Sequence, residues 1–557
     1  MTGGAPPAHT ESADVLHQPF GEDVYWTRSN VGEAMPGVLT PLGWTVFGYG
    51  GELALRGGPH LAGVFSRREA EVPPALQDRY LSIFYGRVAA RADSFALIGD
   101  RMPGTSGTAV VDQILGFVPP DMTDHPDYRR APIIAARFPY AFATTGRRCR
   151  RAQREADRWW REQIPRVPGL DHAGAVELFR DARALFNRNI VIASAAVVCA
   201  ITPMYEQLRR LVEHSGVGNV NAFMGGYGSH AETAVVADIW AASRGRITLD
   251  EVIARHGYHG PGEGELSSHM WREDRTPLER MIAGYATRPD NRSPDAIETE
   301  RRGEREHVER ELLASFGPLT RPAAAAVLRV AAATIPLRGV QKVAFLQSLD
   351  VTRATARRIG EHLTTEGVLD DREDVFFLTA DEILAPQLPD ARSLVERRRA
   401  RYQQYQRYDL PESWRGIPTP TPRVESAERP DWITGIGVSP GVTEGVIRVV
   451  HDPGFADVQD DEILVAPTTD PSWASIMFIS KALVVDIGGT MSHAAVIARE
   501  LGIPCVINTK TGTRDLRTGV RVRIDGSAGT VDILAHAHQP DAHQPDAVQR
   551  DHQEVAP

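Results

Sequence analysis

His493 is the residue in this sequence best placed for chemistry. It stands in GGTMSHAAVIARELGIPCV, residues 488–506, after two glycines and a short polar turn and before an alanine-rich apolar repeat. Gly488 and Gly489 let the backbone turn sharply after the apolar run ALVVDI. Ser492 and His493 then fall on the opening turn of a helix, where free N–H groups and the helix dipole favour an anion. A histidine there can accept and hold a phosphoryl group, or act as an acid or base near neutrality. The same local pattern also fits a helix-capping turn whose histidine merely packs. Either way the turn predicts an exposed imidazole.

A second pair lies in RHGYHGPGEGE, residues 255–265. His259 titrates near neutrality, and Glu263 or Glu265 is close enough in sequence to orient it. His259 and Glu263 are therefore acid/base candidates, against the alternative of a tolerated turn residue. Arg28, Asn30 and Glu33 form a polar stretch between apolar segments, where substrate-positioning groups are expected, although loop salt bridges or caps fit as well. Arg87 follows a glycine and Arg272 a tryptophan, so both are weaker positioning candidates, equally suited to stacking or capping.

The elements that must position these residues change character along the chain. Residues 1–20 are Pro/Gly/Ala-rich and are expected to be disordered. Residues 21–145 show mixed short apolar runs broken by glycine and proline, such as VLTPLGWTVFGYG, and 146–410 show helical periodicity. The arginine run 147–151 reads as a solvated helix start. Residues 411–430 hold five prolines in twenty positions, which predicts an extended spacer and a hinge. Residues 431–534 alternate short apolar runs with one or two helical stretches, and the repeated HQPDA tail from 535 to 557 is expected to be disordered. The fold class that follows is multidomain α+β.

A chain of 557 residues with 42% hydrophobic and 24% charged residues is an ordinary globular protein of several domains. Its net charge of −10 argues against nucleic-acid and membrane-surface roles, which need a basic face. Cys149, Cys199 and Cys505 lack any CxxC spacing, so neither a disulfide framework nor a metal site is expected, and a cytoplasmic location fits. The first twenty residues lack the basic and apolar regions of a signal peptide. The apolar run 190–201 is too short for a membrane span and predicts a buried helix.

Beyond these local arguments, residues 437–533 closely resemble the swivelling phosphohistidine domain of phosphoenolpyruvate synthase, pyruvate phosphate dikinase and rifampin phosphotransferase. The resemblance rests on SPGVTEG, TDPSW, GGTMSHAA, RELGIP and DGSAG. It implies a small β/β/α domain in which His493 carries phosphate, supported by Gly489, Ser492 and Arg499. Met491 departs from the dikinase branch, where a threonine stands. The stretches WTRSNVGEAMPGVLTPL, FYGRV, RMPGTSG, GPGEGELSSHMWRED and LTTEGVLDDREDVFFLTADEI are similar to the substrate-binding domain of rifampin phosphotransferase. That likeness implies a mostly helical domain with a large apolar pocket for a bulky polyketide. Where this family tends to have an arginine, the chain has His259.

No ATP-grasp domain and no phosphoenolpyruvate barrel can be recognised. The first expectation is therefore an ATP-independent enzyme, without cofactor, in which His493, His259 and Glu263 dehydrate or cyclise a bulky hydroxylated natural product. The alternative is a phosphotransferase in which His493 carries phosphate supplied, with ATP and Mg, by an ATP-grasp partner. A binding protein without turnover is a third reading.

Overall fold

The computed structural model describes residues 14–535, apart from 22, 29–30, 36, 116–117, 218–219, 224–226, 228–230, 291–292, 386, 423–430, 452–457, 460–461, 470–472 and 491. The side chains of 33, 113–115, 221–222, 231–233, 474–475 and 535 also lie outside the description. Asn30, Met491, the Glu33 side chain and the HQPDA tail are thus outside the described residues.

The first two-thirds of the chain are built on long packed helices. Helix Pro41–Ala62 starts at Thr40, whose side chain accepts from Gly43 N–H, and ends at Gly63 in the left-handed region. Sequence reasoning reads this segment as broken apolar runs because of its glycines. In the structure those glycines line a close helix–helix approach. A Cβ at Gly50 would strike Phe186, and one at Gly57 would strike Val191, both on helix His172–Ala196. Tertiary packing outweighs the roughly 1 kcal/mol helix penalty of each glycine.

Helix His172–Ala196 continues through a π-helical turn, Val197–Ile201, into helix Thr202–Ser215. This stretch and Arg321–Thr365 are long and apolar enough to cross a bilayer by length and composition, and half and a third of their most apolar windows are buried within the protein. Helix Leu337–Thr365 is almost wholly buried and runs through the centre of the helical region. The arginines at 147–151 do not start a helix but lie in the middle of helix Ala131–Gln163, where Arg151 pairs with Glu155 one turn on.

A four-stranded antiparallel sheet closes one end, in the order Leu81–Phe84, Arg87–Arg91, Tyr25–Thr27, Ser413–Arg415. Two expectations are corrected here. Residues 14–20 are not disordered: Leu16 is buried in the main core, and Gln18 N–H donates to the Ile83 carbonyl at 2.9 Å. Residues 413–422 are not a spacer, because Ser413–Arg415 joins this sheet and Thr421–Pro422 pairs with Tyr408–Asp409. Trp414 supplies the reason, packing its ring edge-to-face on Phe84 beside Trp26.

The C-terminal part forms an eight-stranded sheet in the order Trp432–Thr434, Thr530–Ala535, Arg521–Asp525, Val442–Val449, Ile463–Ala466, Ala482–Val485, Cys505–Ile507, Ile436–Ser439. The central strands are parallel and buried on both faces, which explains their continuous apolar runs. Helix His493–Leu501 covers one face.

This part docks on the helical region through a shared apolar cluster. Trp240 and Tyr285 from helices Ala231–Ser243 and Thr276–Ala286, with Trp271 from the turn between 257 and 275, join Phe478, Ala494 and Ile497. The Tyr285 and Phe478 rings lie 5.0 Å apart. Arg288 donates to the carbonyls of Phe478 and Ile479 at 3.0 and 2.8 Å, at the C-terminus of helix Ala474–Ile479. The Arg301 guanidinium lies where a Gly502 side chain would stand, at the C-terminus of helix His493–Leu501. Both arginines sit at the negative ends of helix dipoles.

Gly502 has a φ of +67°, so alanine there is both strained and in conflict with Arg301. Gly502→Ala is expected to loosen the docked arrangement and raise the rate at which diethyl pyrocarbonate modifies His493, read by peptide mass spectrometry. An unchanged rate would show that this contact does not hold the interface.

Candidate active site at the domain interface

Ser492 opens helix His493–Leu501, with extended backbone and a side chain that accepts from Ala495 N–H at 3.2 Å. Its own N–H donates to the Gly489 carbonyl at 2.8 Å, which closes the glycine turn after strand Ala482–Val485. His493 therefore has a fixed position, but it is not exposed. It is only 5% accessible, because the docked helical region covers the turn.

The two imidazole nitrogens differ. Nδ1 is 3.0 Å from Thr469 Oγ1, whereas Nε2 is buried with no hydrogen-bond partner among the described residues. Burial first, and then the nearby charges of Lys342, Arg338 and His259, hold the imidazole well below its ordinary pKa. The ring is therefore neutral at physiological pH. When Nδ1–H donates to Thr469 Oγ1, Nε2 keeps its lone pair.

The opposing wall comes from the helical region. Arg338 and Lys342 lie one turn apart on helix Leu337–Thr365. Lys342 Nζ is 3.5 Å from Glu263 Oε1, and Glu263 Oε2 is 2.9 Å from His259 Nδ1. His493, Lys342, Glu263 and His259 thus form one buried polar cluster across the two parts.

A charged scaffold holds the loop that carries His259. Arg353 Nη2 donates to the carbonyls of Glu263 and Glu265 at 3.0 and 3.1 Å, and its Nε donates to that of Leu266 at 3.2 Å. Asp350, fully buried, accepts from Arg272 through both oxygens and from Trp160 Nε1 at 2.8 Å. Glu265 turns away from His259 and accepts from Thr40 N–H and Oγ1–H at 3.1 and 2.6 Å, at the entrance of helix Pro41–Ala62. Glu263, not Glu265, is the partner of His259.

The other sequence candidates lie elsewhere. Arg272 is a structural partner of Asp350. Arg87 is buried and donates to the carbonyls of Tyr85, Tyr405 and Tyr408, tying the small sheet to the end of helix Ala391–Gln406. Arg28 reaches the Leu410 carbonyl at 3.3 Å in the same region. Both belong to the surroundings of the small sheet and not to the turn that carries His493. A groove of about 440 Å³ lined by Glu155, Trp159, Asp181, Ala184, Leu185 and Arg188 contains none of the candidates.

Sequence reasoning missed Lys342, Arg338 and Thr469. Two signals were present. Lys342 is one of three lysines in a chain with 62 basic residues, and it stands one helical turn from Arg338. Thr469 opens the TDPSW motif, but only folding brings it to the imidazole.

Both parts that meet at this site contain stretches that match known families. Residues 458–529, which include Thr469 and His493, match the mobile domain of PEP-utilising enzymes. Residues 210–339, which include His259, Glu263 and Arg338, match the fourth domain of rifampicin phosphotransferase. Together the two matched stretches make this chain similar to the rifampicin phosphotransferase-like family.

A rifampicin phosphotransferase of a Streptomyces species is 32% identical over 303 residues, covering 52% of this chain and 35% of that protein. An uncharacterised protein of Mycobacterium tuberculosis is 32% identical over 285 residues, covering 51% of this chain and 31% of its own length. An uncharacterised phosphotransferase of Bacillus subtilis is 35% identical over 194 residues, 32% of this chain and 23% of that protein. The chain spans about a third or less of the length of these relatives. They favour phosphotransferase chemistry and lend no support to dehydration or cyclisation.

Proposed function

We propose that this chain provides the acceptor-binding and phosphohistidine parts of a cytoplasmic phosphotransferase. The observation that carries the proposal is the neutral, buried His493 with Nδ1 held by Thr469 and Nε2 without a hydrogen-bond partner among the described residues, in the field of Lys342 and Arg338. Nε2 attacks a phosphorus of a phosphoanhydride donor and forms an N–P bond, while the P–O bond to the rest of the donor breaks and its electron pair leaves on that oxygen. The donor implied by the family resemblance is MgATP on an ATP-grasp domain. In the docked arrangement a hydroxyl of a bulky acceptor attacks the same phosphorus, and the N–P bond breaks with its electron pair returning to Nε2.

Lys342 and Arg338 neutralise charge on the equatorial oxygens during transfer. His259, oriented by Glu263, takes the proton of the acceptor hydroxyl. Because His493 is closed off when docked, the donor and the acceptor have to be met in different domain positions, with the pivot after Pro422.

The same observation weighs against His493 as the acid or base of a dehydratase. A base works best with a pKa near the working pH, and this imidazole is held well below its ordinary value. A neutral ring with a free lone pair suits a nucleophile better.

The test is to incubate the full chain with an ATP-grasp domain from a related phosphotransferase and MgATP labelled in its β and γ phosphates. An acid-labile, alkali-stable label on the wild-type chain, absent from His493→Ala, is the expected result. A product one water lighter than its substrate, formed without ATP, would overturn the proposal and restore the dehydration reading.

A further inference from the structure

We propose that the outward face of helix Ala131–Gln163 is a docking surface for an acidic helix of a second protein. It goes beyond phosphoryl transfer and does not rest on it. Tyr140, Arg147, Arg154 and Arg161 follow one another at seven-residue intervals, and Arg151 and Arg158 stand four residues after Arg147 and Arg154. Seven residues are almost two full turns, so these side chains form one stripe along the helix. All of them are exposed, whereas Cys149, Ala152, Ala156 and Trp160 bury the opposite face.

Arg151 and Arg161 have Glu155 and Asp157 as ion partners, but Arg147, Arg154 and Arg158 make no side-chain hydrogen bond or ion pair among the described residues. Like charges three and four residues apart destabilise the helix that carries them, and a solvated face is normally written with alternating signs. The chain as a whole carries a net charge of −10. The counter-charge this stripe lacks on its own face is what a partner supplies.

The shape of the stripe selects the partner. At 3.6 residues per turn, Glu155 and Glu162 fall on one flank of the arginines and Asp157 on the other. A DNA duplex or an anionic membrane is broader than this stripe and would press phosphates against those carboxylates. A single helix with carboxylates at the same repeat matches both its width and its period, as in a two-stranded helical seam. Arginine forks also pair with carboxylates through two hydrogen bonds at once. Tyr140, 65% exposed, and Ile133, 41% exposed and a further seven residues back, give the N-terminal end of the stripe an apolar anchor. The partner helix therefore carries apolar side chains at one end and acidic ones along the rest.

Fluorescence anisotropy of the full chain with a labelled synthetic peptide tests the surface. The peptide is a designed helix of about four heptads, with glutamates at the spacing of the arginines and leucines at one end. Saturable binding is expected, weakened at least about tenfold in the triple variant Arg147→Gln, Arg154→Gln, Arg158→Gln. Tyr140→Ser should weaken it about threefold or more. Glutamine keeps helix propensity, so the denaturant midpoint of the triple variant should not fall, which separates lost docking from a lost fold. A peptide of the same composition in scrambled order should bind at least about tenfold more weakly than the designed one. Equal binding of the two peptides, a triple variant that binds like wild type, or tighter binding of a short DNA duplex or of phosphatidylglycerol vesicles would overturn the proposal. A dimer of the chain that the triple variant dissociates would assign the face to a second copy and overturn it as well. The same holds for peptide binding that tightens about tenfold on removal of residues 536–557, which would assign the face to the chain's own tail.

Discussion

His493→Ala is expected to abolish phosphoryl carriage, lowering transfer to the acceptor by roughly 10³-fold or more, as removal of a covalent nucleophile does. The fold should survive. The imidazole makes one hydrogen bond among the described residues, to Thr469, so truncation leaves a small polar void and not a broken network. A loss of about 1–2 kcal/mol is the scale expected for such a change.

The same variant carries a pH signature. Folding depresses the His493 pKa below its ordinary value of about 6.5. The unfolded state thus binds more protons below about pH 6.5, and the stability associated with the neutral ring is complete above that pH and lost as pH falls. Between about pH 7.5 and about 5.5 the wild-type midpoint should fall more steeply than that of His493→Ala. His17 and His256 are depressed as well, but they are common to both proteins and cancel in the comparison. A fully active His493→Ala would end the carrier reading. Parallel pH curves would show that the buried imidazole does not titrate as described.

Asp350→Ala is expected to be the most destabilising single change outside the apolar core, costing about 3–5 kcal/mol. Asp350 is the shared counter-ion of Arg272 and Arg353, with no exposure of its own. Its pKa is lowered even though burial, the largest influence, pushes it up, because the two guanidiniums and the Trp160 donor outweigh that burial. Alanine would leave the fully buried Arg353 guanidinium without its carboxylate and Arg272 with only Glu273 at 3.2 Å. Denaturant unfolding measures the loss, and a cost below about 1 kcal/mol would refute the role assigned to the carboxylate. Asp350→Asn keeps a hydrogen-bond acceptor but no charge and should fall between. Because Arg353 also holds the Glu263 and Glu265 carbonyls, the His259 loop should loosen in the same variants, read as faster amide exchange across residues 257–268.

Much of the C-terminal part was legible in the amino-acid sequence. Strands Ile463–Ala466, Ala482–Val485 and Cys505–Ile507 are buried on both faces and so are written as unbroken apolar runs, and the helix announces itself by Ser492 before an apolar repeat and Gly502 after it. His493, His259 and Glu263 also stood out as candidates, since a histidine on a helix-opening turn or beside a carboxylate can take part in acid/base or nucleophilic chemistry.

What local pattern could not decide was everything that depends on two distant segments meeting. The glycines of Pro41–Ala62 mark a helix only because Phe186 and Val191 approach them. Residues 413–415 pair into a sheet because Trp414 has aromatic partners more than three hundred positions away. Arg272 looked like a substrate anchor until Asp350 took its charge. The docked interface decided the rest. It buries His493 and sets Lys342 and Arg338 against it, and so turns a titrating histidine into a neutral one. Desolvation and Coulomb interaction act through space, and neither is written in the spacing of residues along the chain.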